Sequence, residues 1–431
     1  MDTREICEYT LGALKKAGAD DAWVKAGKIR LDELNVLSGE MNLMRTVYTT
    51  NIRLKAVKDL KKGIVGLNKA EKEDIDRAVR DAMEAAGTAP ADDCEGVSEL
   101  IENASFVRED AAEDMEALYD RMVEFLNDVK TKYPSIVIEE MIGEYFAEES
   151  TFLNSNGVDF HEEDGLYGFS VTFSAHEGEK ASSFNYTGAT FRKPDRPLLS
   201  LGMTEDLIRE STESLDCGSV DGKFTGVVVL TPASIGNLIS TVCGNFLSDS
   251  SLIEGTSIWK DKRGERVAAE GFSLTIDPEG EGVVSPYRYT SDGYLIGKLP
   301  LIEKGILKDF MLSRYGAKKT GGRRTYGDSE NILVSPGDKS LDEILAGIER
   351  GVYVERLSGG APSANGDLTA VAKNSFLIEN GKIGKALNET MLSFNVADAL
   401  MNITGISKET RSSGSGAQPW LAFGGATVSG K

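Results

Sequence analysis

Imidazole is scarce in this chain, whose 431 residues include only His161 and His176. Hydrolysis by a helix-borne zinc ion uses an HExxxH segment: two imidazoles about one turn apart hold the ion, and the glutamate beside the first activates water. No segment here has that form. Another route to zinc would join His161, Glu162 and His176 from neighbouring hairpins. No third nitrogen or thiolate lies nearby in sequence, so two partly exposed hairpin histidines and no metal site are expected. Cys243 lies in the hexad Ser240-Thr-Val-Cys-Gly-Asn245, about three turns into a helix. A reactive thiolate needs a basic partner or a helix N-terminus. Cys243 has no histidine beside it and reads as a buried, apolar cysteine. Ser240 lacks a base for the same reason, and no catalytic residue is assigned.

The elements that must position these residues are legible as periodicities. Asp2 or Thr3 caps a first helix ending near Gly18. Segments 21–26, 29–37, 43–49, 51–58 and 63–67 read as an antiparallel meander, and Glu71 to Ala86 as a helix. The polar run 87–96 suggests a boundary. An acidic helix over about 110–131 precedes hairpins from Ile136 to Phe191, with turns at 154–157, 163–165 and 177–179. A helix from Thr204 to about Leu215 closes that unit. The strand Gly226–Leu230 then leads into a helix with Thr231 as N-cap and Pro232 at its first position, followed by β-type runs and short helices near 340–350 and 396–403. The reading is α+β: an N-terminal α+β domain (1–88), a linker (89–97), a central helix-plus-hairpins domain (98–221) and a C-terminal domain dominated by antiparallel sheet (222–431).

Charge narrows the partners. The balance of 69 acidic against 48 basic residues leaves −21, a field that repels polyphosphate, so no direct nucleic-acid contact is expected. The one basic patch, Lys318-Lys319 with Arg323-Arg324, reads as solvated surface. No apolar run could span a bilayer, and the Met1-Asp2-Thr3-Arg4-Glu5 start lacks a signal-peptide plan, so no membrane contact and a cytoplasmic location are expected. The glycine-rich stretches 321–327, 359–366 and 412–416 match no nucleotide motif.

Taken in order, Gly255-Thr-Ser257, Leu301-Ile-Glu-Lys-Gly-Ile-Leu307, Ser335-Pro-Gly337, Gly359-Gly360, Phe376-Leu-Ile-Glu-Asn-Gly-Lys382, Pro419 and Val428-Ser-Gly430 resemble the TldD/PmbA family of cytoplasmic metalloproteases, historically called modulators of DNA gyrase. The resemblance runs the full length and is densest in the final third. It implies two subunit types, one with a zinc-binding His-Glu-x-x-Gly-His and one without. In register from Gly255, that motif falls on Ser240, Thr241, Cys243, Gly244 and Asn245, with only the glycine retained. The zinc type is also similar in having a cysteine ligand near the C-terminus, whereas Ser412 to Pro419 contains none. The acidic run before glycine is reduced to Ser291-Asp292-Gly293. The resemblance therefore implies a non-catalytic or regulatory subunit of the PmbA/TldE type. Its partner would be a zinc-bearing, TldD-like HExxxH subunit, its own cofactor none, and its substrate an unfolded peptide lying against a sheet edge. Asp292, Gly359, Gly360 and Trp420 are the candidate groove residues, Trp420 on an edge strand or an ordinary core strand. Two alternatives stay open: a homodimeric peptide-binding protein without a protease partner, and a modulator of DNA gyrase acting through protein contacts.

Overall fold

The computed structural model describes residues 1–108, 113–388 and 390–430. The first helix, α1 (Thr3–Lys16), starts where Asp2 and Glu5 close a reciprocal capping box, Asp2 Oδ1 accepting from the Glu5 N–H at 2.7 Å. Behind it lie β1 (Asp21–Leu37), β2 (Glu40–Lys58) and β3 (Lys61–Leu67), then α2 (Lys72–Thr88). The expected breaks near Gly27 and Thr50 do not occur, because β1 is paired continuously from Asp21 to Leu37. Gly63 lets β3 lie directly on α2, since a Cβ there would sit 1.9 Å from the Ala82 carbonyl oxygen.

The chain continues through β4 (Ala104–Val107), α3 (Met115–Lys132), β5 (Ile136–Asn154), β6 (Asp159–Glu177), β7 (Lys180–Ala181) and β8 (Asn185–Phe191) to α4 (Thr204–Glu213). Residues 110–112 of the expected acidic helix lie outside the described residues. The expected turns at 154–157 and 177–179 are present, but 163–165 lies inside β6, paired to β5 throughout. β1 also pairs β5 along its length, so segments 1–88 and 98–221 contribute strands to one eight-stranded sheet. The intervening 89–97 run is packed at its end, with Cys94, Glu95 and Val97 buried.

In the remainder, β9 (Lys223–Leu230) enters a seven-stranded sheet, and the chain turns through α5 (Ile235–Thr241), a π-helical segment (Val242–Leu247) and α6 (Asp249–Ile253). A four-stranded sheet follows, built from β10 (Leu274–Ile276), β11 (Leu299–Glu303), β12 (Ile306–Leu307) and, after α7 (Arg314–Thr320), β13 (Ile332–Val334). After α8 (Leu341–Ala346) the larger sheet is completed by β14 (Arg350–Ser358), β15 (Asp367–Glu379), β16 (Lys382–Leu387), β17 (Thr390–Asn395), β18 (Ile403–Ser412) and β19 (Ala417–Ser429), with α9 (Val396–Met401) before β18. The architecture is α+β with mainly antiparallel sheets, as the sequence predicts. The helix expected from Thr231 starts instead at Ile235, because Thr231 to Ser234 close a turn of their own, with the Ser234 hydroxyl accepting the Thr231 N–H at 2.9 Å.

The halves meet at an aromatic cluster. Phe152 stacks near Trp23 and Phe160, with centroids 5.8 and 6.1 Å away, and Tyr289 from the C-terminal half lies 4.8 Å from Phe160. A polar seam runs beside it: Arg324 reaches Glu99 at 2.9 Å and Asp292 at 3.1 Å, and Asn154 Nδ2 donates to the Ser98 carbonyl at 2.8 Å. Phe152 is fully buried. Phe152→Ala is expected to lower stability by about 3–5 kcal/mol, read as a shift in urea midpoint, with both halves melting together. A loss below about 1 kcal/mol would show that the junction is not packed as described.

Candidate functional site

A cleft of about 970 Å³ lies between the two halves. One wall is the N-terminal sheet at β6 and β8; the opposite wall is α5 with the start of the π segment. The run from Arg411 to Gln418 and residues near Asp328 complete it. The hexad enters through Ser240 and Cys243, on the helix face that also carries Gly236 and Ile239. The other positions point elsewhere. Thr241 is buried and its hydroxyl donates to the Asn237 carbonyl at 2.9 Å, Gly244 is exposed, and Asn245 Nδ2 donates to the Ser363 carbonyl at 2.9 Å. The switch from α to π winding begins at Val242, inside the hexad. Five residues span about 140° beyond one turn of α-helix but about one turn of π-helix.

The donors at the hexad are hydroxyls, a carboxamide and a protonated thiol, a set that does not fit zinc. Burial pushes the Cys243 thiol up to about 12, so little thiolate exists near neutrality. His161 and His176 lie on the single strand β6, not on neighbouring hairpins. Fifteen residues separate them, roughly 50 Å along an extended strand. They cannot share an ion. His161 contacts Glu163 at 2.9 Å and Thr151 at 3.3 Å; His176 contacts Ser174 at 2.9 Å. Among the described residues, the one compact group of three potential ligands is Asp92, Asp93 and Cys94. There the ion pair with Lys319, at 2.9 Å, holds the Asp92 carboxyl down at about 2.

The candidate groove residues do not converge. Asp292 belongs to the polar seam with Arg324, and Thr290 Oγ1 also donates to it. Gly359 and Gly360 form an exposed turn after β14 with φ of 72° and 75°. Trp420 is buried on β19, which is flanked by β9 on one side and by β17 and β18 on the other, an interior strand and not an edge. The basic patch is largely neutralised: Lys319 pairs with Asp92, Arg323 with Asp309, and Arg324 with Glu99 and Asp292.

Sequence reasoning missed the edge of β8. Among the described residues β8 pairs only with β6. Its Thr190 N–H turns outward to the Ser413 carbonyl at 2.7 Å. Alternation then turns the main-chain groups of Gly188 and Tyr186 the same way, toward the cleft. Across the cleft floor, Tyr287 donates to Asp328 at 3.0 Å; burial raises the tyrosine, and the carboxylate beside it adds to the shift. No local motif marks these residues, because the chain folds them together from segments far apart.

Residues 223–430 match the family model described as PmbA/TldA metallopeptidase C-terminal domain. Those residues carry a domain of the PmbA/TldD family. A metalloprotease of Methanothermobacter thermautotrophicus is 31% identical over 202 residues, 44% of each chain, so the chain spans less than half the length of that relative. A metalloprotease PmbA homolog of Haemophilus influenzae is 22% identical over 95% of this chain and 92% of its own. The crystal structure of TldE from Thermococcus kodakarensis shares the fold, with a TM-score of 0.84 at 22% identity over 98% of this chain and 99% of that one.

Near the cleft two carboxylates are buried, Glu210 on α4 and Glu355 on β14, and both Glu355 oxygens lack hydrogen-bond partners. Burial raises Glu355 well above the usual carboxylate range. The unfolded chain ionises at the ordinary value of 4.5 while the folded chain holds the proton to higher pH. This group's stabilising contribution is therefore full below the unfolded value and is lost as pH rises. Glu355→Gln is expected to flatten the decline in urea midpoint between about pH 5 and 8, and an unchanged slope would contradict it. Cys243 gives a second check. In the native chain the exposed Cys217 should react with a disulfide reagent at least about 100-fold faster than Cys243. Comparable rates would contradict the raised thiol of Cys243, which is half-buried in the cleft wall.

Proposed function

We propose that this chain is a non-catalytic or regulatory subunit that joins a zinc-bearing HExxxH relative and supplies one wall of a chamber for unfolded peptides. The observation that carries this reading is the cleft itself. It gathers Ser240, Cys243 and the 412–418 run around an open strand edge, yet the hexad offers no imidazole and no carboxylate. An extended peptide would continue the pairing that Ser413 begins at Thr190, with main-chain hydrogen bonds giving sequence-tolerant affinity. The net charge of −21 and the paired cations at 319–324 favour a protein or peptide partner over direct DNA contact.

Purified alone, the chain should contain no stoichiometric zinc and leave casein uncut; about one zinc per chain with chelator-sensitive cleavage would overturn the proposal. Mixed with an HExxxH homologue it should co-purify, and hydrogen exchange at Tyr186 to Gly188 should slow when an unfolded peptide is added. Slowed exchange without any such association would favour the homodimeric peptide-binding protein.

Ser240→His, Thr241→Glu and Asn245→His together should recruit zinc only weakly. Position 241 is buried and position 245 faces Ser363, so the three new groups are not presented to one point. Turnover matching a natural zinc subunit would contradict this.

A further inference from the structure

A second concavity, of about 310 Å³, lies between α4 and the C-terminal sheet, and Arg411 lines both it and the large cleft. Its apolar side is aromatic: Tyr353, Phe376 and Trp420, with Trp420 Nε1 donating to the Tyr353 hydroxyl at 3.2 Å. Its polar side is acidic. Arg209, the fixed cation, is engaged by Asp206 at 3.2 Å and Glu213 at 3.0 Å. Glu210 is different. It is 3% exposed, its Oε1 has only a 3.8 Å approach from Arg209, and its Oε2 has no hydrogen-bond partner. An orphaned carboxylate beside aromatic rings is an arrangement that a desolvated cation completes.

The chain already places a cation there. The Arg411 guanidinium stands 5.5 Å from the Trp420 ring centroid, and its hydrogen bond is to the neighbouring Thr410 carbonyl at 3.1 Å. Arg411 is exposed and comes from the run that borders the cleft. A divalent metal is a poor match, because it needs several oxygens drawn to one point. Among the described residues no three carboxylates of this pocket lie that close. An alkyl stem along the aromatic side, ending in a compact charge near Glu210, suits it better.

We propose that this pocket is a subsite for a primary alkylammonium group, borne by a lysine side chain or a free N-terminus of a peptide held in the cleft. The peptide part rests on the function proposed above, whereas the affinity for the ammonium group does not. Displacement of Arg411 from Trp420 would open the path between cleft and pocket.

Calorimetry on the full chain separates the two. n-Butylammonium alone should bind saturably to the wild type, about 10-fold more weakly to Glu210→Gln, and more tightly to Arg411→Ala, which removes the internal competitor. No saturable binding at millimolar concentration, or identical binding to all three chains, overturns the subsite whatever peptides do. Binding that follows this pattern while every peptide fails supports the subsite and removes the peptide reading. With peptides, a lysine sequence should bind about 10-fold tighter than its norleucine counterpart, and Glu210→Gln should erase that difference without changing the norleucine affinity. If lysine and norleucine peptides instead bind alike and acetylating the N-terminus weakens both in the wild type but not in Glu210→Gln, the terminal amine is the occupant. A lysine preference that survives Glu210→Gln overturns the assignment.

Discussion

Every wall of the cleft depends on the junction between the N-terminal and C-terminal sheets. Neither half encloses the space alone: β6 and β8 come from one, α5 and the 411–418 run from the other. What fixes their relative position is burial of Phe152 and Phe160 against Tyr289, beside the seam in which Arg324 joins Glu99 and Asp292. Aromatic packing provides the non-directional attraction, and the buried polar bonds select one orientation among those the packing permits. Asp292, chosen from sequence as a groove residue, belongs to this seam and does not line the cleft.

The helix at the cleft owes its winding to core packing. Val242, Phe246 and Leu247 remain fully buried in the C-terminal core, and Phe246 packs on Trp259 with centroids 4.7 Å apart. Those contacts fix the winding of the segment, including its π turn, independently of what occupies positions 240, 241 and 245. Ser240 stays at the cleft because its side of the helix faces away from the core. Asn245 is free to satisfy itself on the Ser363 carbonyl.

Charge is distributed unevenly in this acidic chain. Most cations near the junction are paired, while Glu210 and Glu355 are buried without adequate partners. Burial raises both carboxyls, and each is stabilised by whatever brings it a proton or a cation. They lie along the line where α4 of one half meets β14 of the other, so their ionisation is tied to how the halves fit.

The sequence by itself determined the α+β class, the absence of a zinc-binding hexad and the places of the main helices, because these follow from local periodicity, caps and residue type. It also carried the family resemblance through short motifs in fixed order. It did not determine strand length: Gly27 and Thr50 look like breaks, yet pairing on both sides of β1 overrides their weak local preferences. It left Trp420 on an edge strand or an ordinary core strand, and only the return of β18 covers that strand. It read His161 and His176 as belonging to neighbouring hairpins, whereas one unbroken strand carries both. The cleft, the open edge of β8 and the pocket at Glu210 were decided only in three dimensions. Each is assembled from segments up to about 250 residues apart, and such convergence is set by the packing of whole sheets, which leaves no signature in any short stretch of chain.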